Sequence, residues 1–136
     1  MSSQIRTGRH CVYSLQVHLV FITKYRRNVL NKEMLDRLKQ IYQELSQSFD
    51  AELLEFNGED DHVHLLVSYP PKVSLSTLVN NLKGVSSRLL RKEFPVIQKY
   101  LWKGRLWSRS YYAGSCGGTT LDVIKVYIEN QQTPKS

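Results

Sequence analysis

The chain has 136 residues, 41% hydrophobic and 23% charged, and carries a formal net charge of +7. That length supports a single domain with its own core, and the composition argues against a disordered or disulfide-stapled chain. The basic balance favours nucleic acid or an anionic surface as partner, while no apolar run approaches membrane-spanning length.

The first ten residues are polar, without a signal-peptide core, and Cys11 and Cys116 lack zinc-ribbon spacing. The expectation is a cytoplasmic protein with reduced thiols. Residues 1–8 and 132–136 read as loose tails of one domain structured over about residues 10–131. Residues 12–23 form a β-rich run with Val12, Ser14, Gln16 and His18 on one parity. Tyr13, Leu15, Val17, Leu19 and Phe21 take the other parity, which is the core side. Lys24-Tyr25-Arg26-Arg27 follows, either a solvated loop or a phosphate-gripping edge with an aromatic among the cations.

Residues 31–49 predict an amphipathic helix with Leu35, Leu38, Ile41, Tyr42, Leu45 and Phe49 on its apolar stripe and Asn31 as N-cap. Residues 51–56 predict a strand, and Asn57-Gly58 a tight turn into the next. That next strand holds His62-Val63-His64-Leu65-Leu66-Val67. Alternation puts Val63, Leu65, Val67 and Tyr69 on a core face and leaves His62 and His64 side by side on the other, about 6–7 Å apart. Two such imidazoles suit one metal ion. They equally suit a half-buried strand with backbone or carboxylate partners. Asp61, by parity, points away from them.

Pro70-Pro71 ends this strand. Ser74 or Ser76 caps a helix running to about Phe94, with Leu78, Leu82, Val85 and Leu89 as its apolar stripe. Lys83, Ser87, Arg88, Arg91 and Lys92 form a separate basic face, either solvated or facing an anionic partner. Residues 99–112 interleave Lys99, Lys103, Arg105 and Arg109 with Tyr100, Trp102, Trp107, Tyr111 and Tyr112. Single-strand binders combine cations and aromatics in this way, although Trp107 and Tyr111 fit a core role better. Residues 108–113 predict the last strand, and residues 114–118 a flexible glycine-rich joint that lacks the Lys-Ser/Thr of a phosphate-binding loop. Thr119 or Thr120 caps a final helix to about Gln131, with Leu121, Ile124 and Ile128 on its core side. Tyr127 and Gln131, four apart, share a face of it.

The order β-α-β-β-α-β-α predicts an α+β, ferredoxin-like (RRM-like) antiparallel sheet with an appended C-terminal helix. Its helices would cover one face and leave the other for a ligand.

His62-Val63-His64 followed by Tyr127-Ile128-Glu129-Asn130-Gln131 resembles the HUH single-tyrosine transposases of bacterial insertion sequences. Lys24-Tyr25-Arg26-Arg27 and Trp107-Ser108-Arg109-Ser110-Tyr111-Tyr112 resemble them too, and the likeness covers about residues 13–131. The resemblance implies an enzyme that cuts and rejoins single-stranded DNA, works as a homodimer and recognises hairpins near the ends of the element. It implies Tyr127 as nucleophile, forming a 5′-phosphotyrosine, and a metal held by His62, His64 and Gln131. Two imidazoles alone would favour zinc, so Mg²⁺ or Mn²⁺ follows from the resemblance. In such dimers the tyrosine helix of one subunit serves the histidine pair of the other. The basic and aromatic residues Lys24, Tyr25, Arg26, Arg27, Lys83, Arg88, Arg91, Lys103, Arg105 and Arg109 become candidate DNA contacts. The competing reading is a non-catalytic or domesticated single-strand or hairpin nucleic-acid-binding protein of the same fold. A replication-initiator or relaxase nickase and an unrelated two-histidine metal enzyme stand further off.

Overall fold

The β-rich run at the start of the chain divides into two strands, because Ser14 and Leu15 leave the extended pairing between them. In the computed structural model, which describes residues 5–8, 11–101, 103–115 and 121–131, the elements follow one another in this order. They are β1 (Arg6–Thr7), β2 (Val12–Tyr13), β3 (Gln16–Ile22), α1 (Lys32–Ser48), β4 (Glu52–Gly58), β5 (His62–Ser68), α2 (Leu75–Glu93), β6 (Tyr112–Ser115) and α3 (Leu121–Glu129). Part of the expected N-terminal tail is therefore ordered. β1 pairs antiparallel with β2, and an Arg6–Glu52 ion pair of 2.6 Å ties the small hairpin to β4.

The main sheet has the order β4-β5-β3-β6 and is antiparallel throughout. Its side chains divide by parity. Leu19 and Phe21 of β3 join Val63, Leu65 and Val67 of β5 in a core with Leu38 and Tyr42 of α1 and Leu78 and Leu82 of α2. Val20 and Ile22 face the other way and pack with Ile124 of α3, flanked by Tyr112, Tyr127 and Ile128. The second face is thus partly covered by the last helix. Leu121, expected on that helix's core side, is 80% exposed.

Both long helices begin where the sequence suggested. Asn31 Oδ1 accepts from Met34 N at 2.9 Å, and Ser74 Oγ accepts from Thr77 N at 3.4 Å, which satisfies amides that a helix start otherwise leaves bare. Two local expectations fail for physical reasons. Asn57-Gly58 belongs to β4, and the reversal comes after it, closed by Glu59 N donating to His62 O at 2.9 Å. Gly58 lies close under α1, where a Cβ would stand 2.6 Å from Leu35 Cδ2 and displace that side-chain end. The last strand starts at Tyr112 and not at Ser108, because the carbonyls of residues 108–110 are taken by a lysine side chain described below.

The buried stripe of α2 is also rotated from the expected one: Leu78, Val79, Leu82, Ser86 and Leu90 are buried, whereas Val85 and Leu89 are only half-buried. A serine on that stripe is invisible to a hydrophobicity pattern, yet Ser86 is fully buried. It accepts from Tyr42 OH at 3.2 Å and Trp107 Nε1 at 3.0 Å and donates to Lys83 O at 3.1 Å. Burial raises the Tyr42 phenol, with the Ser86 hydrogen bond opposing, so it stays a donor that needs this acceptor. Trp107 is buried as expected, and Tyr111 is half-buried against the same core. Ser86→Ala strands two donors in the core and is expected to lower the unfolding free energy by roughly 2–4 kcal/mol. Urea denaturation with an unchanged slope checks this.

Candidate active site

His62 and His64 share the α3 side of the sheet because β5 buries the alternate residues. In register, His62 lies opposite Ile22 and His64 opposite Val20 on β3. On β4, Asn57 lies opposite His64. Each imidazole has a specific partner. His62 Nδ1 is 2.8 Å from Asp61 Oδ1, while its Nε2 is 3.9 Å from Glu59 Oε2. This corrects the expectation that Asp61 points away. Asp61 precedes the first residue of β5, so strand alternation does not govern its side chain. Its backbone carbonyl accepts from Thr23 N at 2.9 Å and Thr23 Oγ1 at 3.1 Å, and its Oδ2 is 3.4 Å from Arg26 Nε. A carboxylate can only accept, so the proton between His62 and Asp61 sits on Nδ1, and Nε2 is the nitrogen not engaged by Asp61.

His64 Nε2 lies 2.8 Å from Nδ1 of His18, and the two rings are nearly parallel at 15°, with centres 5.1 Å apart. His18 was placed by parity on this side but not recognised as part of the site. The available signal was a titratable residue in the middle of a strand whose next four residues are all buried. Burial lowers both imidazoles from their ordinary value. In His64 the nearby charge of His18 lowers it further, and in both Glu55 acts against the trend. Both rings are therefore neutral at pH 7.

The tyrosine half of the site is built on α3 and on the segment before β6. Tyr127 OH is 3.2 Å from Ser110 Oγ, and Ser110 Oγ donates to Gln131 Oε1 at 3.4 Å. With the serine proton used there, the phenol donates to Ser110. Gln131 Nε2 in turn donates to Tyr127 O at 3.4 Å, and the Tyr127 ring packs on Tyr112 at 5.6 Å. Gln131 and Ser110 line a pocket with Thr23, Lys24, Tyr25 and Ser108. Thr23 is the residue bonded to Asp61, so this pocket borders the His62 end of the sheet.

Lys83 holds that segment in place. Its Nζ donates to the carbonyls of Ser108 at 2.7 Å, Arg109 at 3.0 Å and Ser110 at 3.4 Å, and lies 5.4 Å from the centre of the Tyr111 ring. Burial lowers its amine to about 8, while the three carbonyls favour the ammonium form, so it is charged at neutral pH. Lys83, a candidate DNA contact, thus also braces this segment from within.

The other cations differ in position. Lys24–Arg26 forms a short 3-10 turn in which Tyr25 (φ 61°) and Arg26 (φ 52°) take left-handed backbone angles. Lys24 Nζ sits 5.1 Å over the Tyr25 ring, Arg26 holds Asp61, and Arg27 is half-buried. Arg88, Lys103, Arg105 and Arg109 are exposed; Arg91 is half-buried with Nε on Ser87 O at 3.1 Å. Lys83, Arg91, Arg105 and Arg109 line one shallow groove with Gly84 and Gly104. Trp102, Cys116, Thr119, Thr120 and most of the expected joint lie outside the described residues. Among the described residues, no group of three His, Cys, Asp or Glu converges on a metal position, and no helix is long and apolar enough to cross a membrane.

The architecture is that of an α+β domain shared with transposases of known structure. A family profile for IS200-like transposases matches residues 11–131. The ISDra2 transposase TnpA of Deinococcus radiodurans is 36% identical over 128 residues, which is 94% of this chain and 91% of that protein. The transposase for insertion sequence element IS200 of Salmonella typhimurium is 33% identical over 123 residues, 90% of this chain and 80% of that one. A solved structure from Deinococcus radiodurans aligns at TM-score 0.88 and 36% identity, over 95% of this chain and 99% of its own. A REP-associated tyrosine transposase bound to a REP hairpin aligns at TM-score 0.57 and 12% identity, over 95% of this chain and 69% of its own, a likeness of fold. The chain belongs to the IS200-like transposase family. An enzymatic DNA-cutting role follows from that membership.

Two outcomes test the geometry. Because folding lowers His18 and His64, the unfolded chain takes up protons first as pH falls through its ordinary value of 6.5. Their contribution to stability is therefore intact above about pH 6.5 and lost below it. The urea midpoint should drop between pH 7 and pH 5, and less steeply in His18→Asn. Lys83→Met should reduce unfolding free energy by about 1–2 kcal/mol. Unlike loss of a phosphate contact, it should leave the salt slope of DNA binding unchanged.

Proposed function

We propose that this transposase cuts and rejoins single-stranded DNA at insertion-sequence ends, with Tyr127 as the nucleophile and a 5′-phosphotyrosine as intermediate. The observation that carries the reading is the placement of Tyr127 and Gln131, on Ser110, over the sheet face that bears His62 and His64. In the step, the Tyr127 oxygen bonds to phosphorus, the bond from phosphorus to the 3′ oxygen breaks, and the leaving oxygen takes up a proton as a free 3′-hydroxyl. Phosphodiester bond energy is kept in the adduct, so a 3′-hydroxyl can reverse the step without a nucleotide cofactor.

The donor set fits a divalent cation. His62 presents Nε2 with its other nitrogen on Asp61, an outer partner of the kind metal-bound histidines use. His64 is held neutral, and Gln131 supplies an amide oxygen. His62, His64 and Gln131 would hold Mg²⁺ or Mn²⁺, which would polarise the scissile phosphate. Gln131 Oε1 is engaged by Ser110 in this structure, so it must turn from Ser110 to join the two imidazoles. Ser110, which meets the phenol, lines one pocket with Lys24 and Tyr25, where a phosphate would approach. Arg88, Arg91, Lys103, Arg105 and Arg109 offer the DNA surface, with Arg91, Arg105 and Arg109 in one groove. The solved REP-hairpin complex of a protein with this fold supports a hairpin as the bound form. The working unit is a homodimer, with the outward-facing Leu121 and Val126 of α3 against the second copy.

An SDS-stable protein–DNA adduct on hairpin-bearing single-stranded DNA with Mn²⁺ is the expected result. It should vanish with EDTA, with Tyr127→Phe and with His64→Ala. An adduct that persists in Tyr127→Phe would remove the nucleophile assignment, and metal-independent binding with no adduct under any condition would favour a non-catalytic binder. Mixed Tyr127→Phe and His64→Ala proteins should regain cleavage if sites are shared between subunits.

A further inference from the structure

A third imidazole stands beside the pair. His18 lies opposite Leu66 in the register between β3 and β5, one step along the sheet from the Val20–His64 pair and on the same face. Its Nδ1 is 2.8 Å from His64 Nε2. Two neutral imidazoles share such a contact with one donor and one acceptor, so the contact decides which nitrogen of His64 carries its proton.

We propose that His18 is a positioning residue for His64: its Nδ1 accepts the Nε2–H of His64, fixes that tautomer, and leaves His64 Nδ1 as the nitrogen open to the divalent cation. This rests on the reading of His62 and His64 as metal ligands. The reverse arrangement, with His18 donating, would occupy the Nε2 lone pair of His64 and place a proton on its Nδ1. Neither nitrogen could then bind a cation until the pair separated. The arrangement parallels that at His62, where Asp61 takes the Nδ1 proton and leaves Nε2 open. The two histidines then present opposite ring nitrogens, each set by a different neighbour: a carboxylate before the strand for His62, an imidazole across the sheet for His64. The near-parallel rings, 15° apart, suit a direct N–H···N contact between the two nitrogens.

The test uses the full chain and Mn²⁺ alone, followed by calorimetry or by the electron paramagnetic resonance signal of free Mn²⁺. Wild type should bind and His64→Ala should not. His18→Phe should weaken binding roughly 10–100-fold, the range for loss of an outer-shell partner. His18→Asn should recover most of the affinity, because the asparagine Oδ1 stands close to where histidine Nδ1 does and can accept the same proton. Nitrogen-15 NMR of the metal-free wild type supplies a readout independent of any variant's folding: His64 should be the Nε2–H tautomer. A His64 protonated on Nδ1, or wild-type Mn²⁺ affinity in a folded His18→Phe, would overturn the role of His18. Undiminished Mn²⁺ binding in His64→Ala would instead overturn the ligand reading beneath it.

Discussion

Everything at the site depends on the antiparallel pairing of β3 with β5. The seven register pairs from Gln16–Ser68 to Ile22–His62 lock two strands whose odd-numbered residues are all core. A slip of one residue would send Leu19, Phe21, Leu65 and Val67 to the α3 side and bury the histidines under α1 and α2. The hydrophobic core therefore fixes which way His18, His62 and His64 face. The chemistry of the pair is set afterwards by neighbours that touch only one ring nitrogen each.

A second constraint comes from buried polar groups. Ser86 accepts from Trp107 Nε1, Lys83 reaches the carbonyls of residues 108–110, and both side chains belong to α2. Together with the bridge between Thr23 and Trp107, they hold the chain before β6 out of the ladder and over the end of β3. Ser110 reaches Tyr127 from that segment. A helix on the far side of the sheet thus positions the tyrosine's neighbour, without any apolar contact of its own to α3 being needed. Orphaned donors and acceptors in this network are costly, which makes the path of residues 106–111 as well determined as a strand.

The sequence made the framework legible for physical reasons that also explain where it stopped. Period-2 and period-3.6 patterns reflect burial, so the alternation in β5, the helix ends at Asn31 and Ser74, and the element order could be read directly. Asn57-Gly58 misled because glycine serves close packing as often as turns, and Leu35 of α1 lies close here. The bracing role of Lys83 is not legible in sequence, because charge reads as solvent-facing although a lysine can also meet three carbonyl acceptors. Asp61 was dismissed by a rule that holds only inside a strand. His18 could be assigned to the correct face, but its contact with His64 depends on register across 46 positions of sequence, which no local pattern encodes. The family resemblance supplied Tyr127 and Gln131, which spacing alone would have left as an ordinary helix face.

The environment of the phenol bears on how the proposed step is driven. Among the described residues, Tyr127 meets Ser110 through its hydroxyl and Tyr112 through its ring. A serine can hold a phenol proton but cannot accept it permanently at neutral pH, and an aromatic ring offers no base at all. His62 and His64 each have one ring nitrogen engaged, by Asp61 and His18 respectively, and the proposed cation would take the other. In the proposed step the residues around Tyr127 would orient the phenol, and lowering the barrier would fall to charge at the phosphate, where electrostatic stabilisation is worth most in a partly desolvated site. On that reading the reactive arrangement would be complete only when DNA, Gln131 and the histidine pair meet. The phenol of the proposed nucleophile would then be positioned in the resting protein and activated only with the phosphate and cation in place.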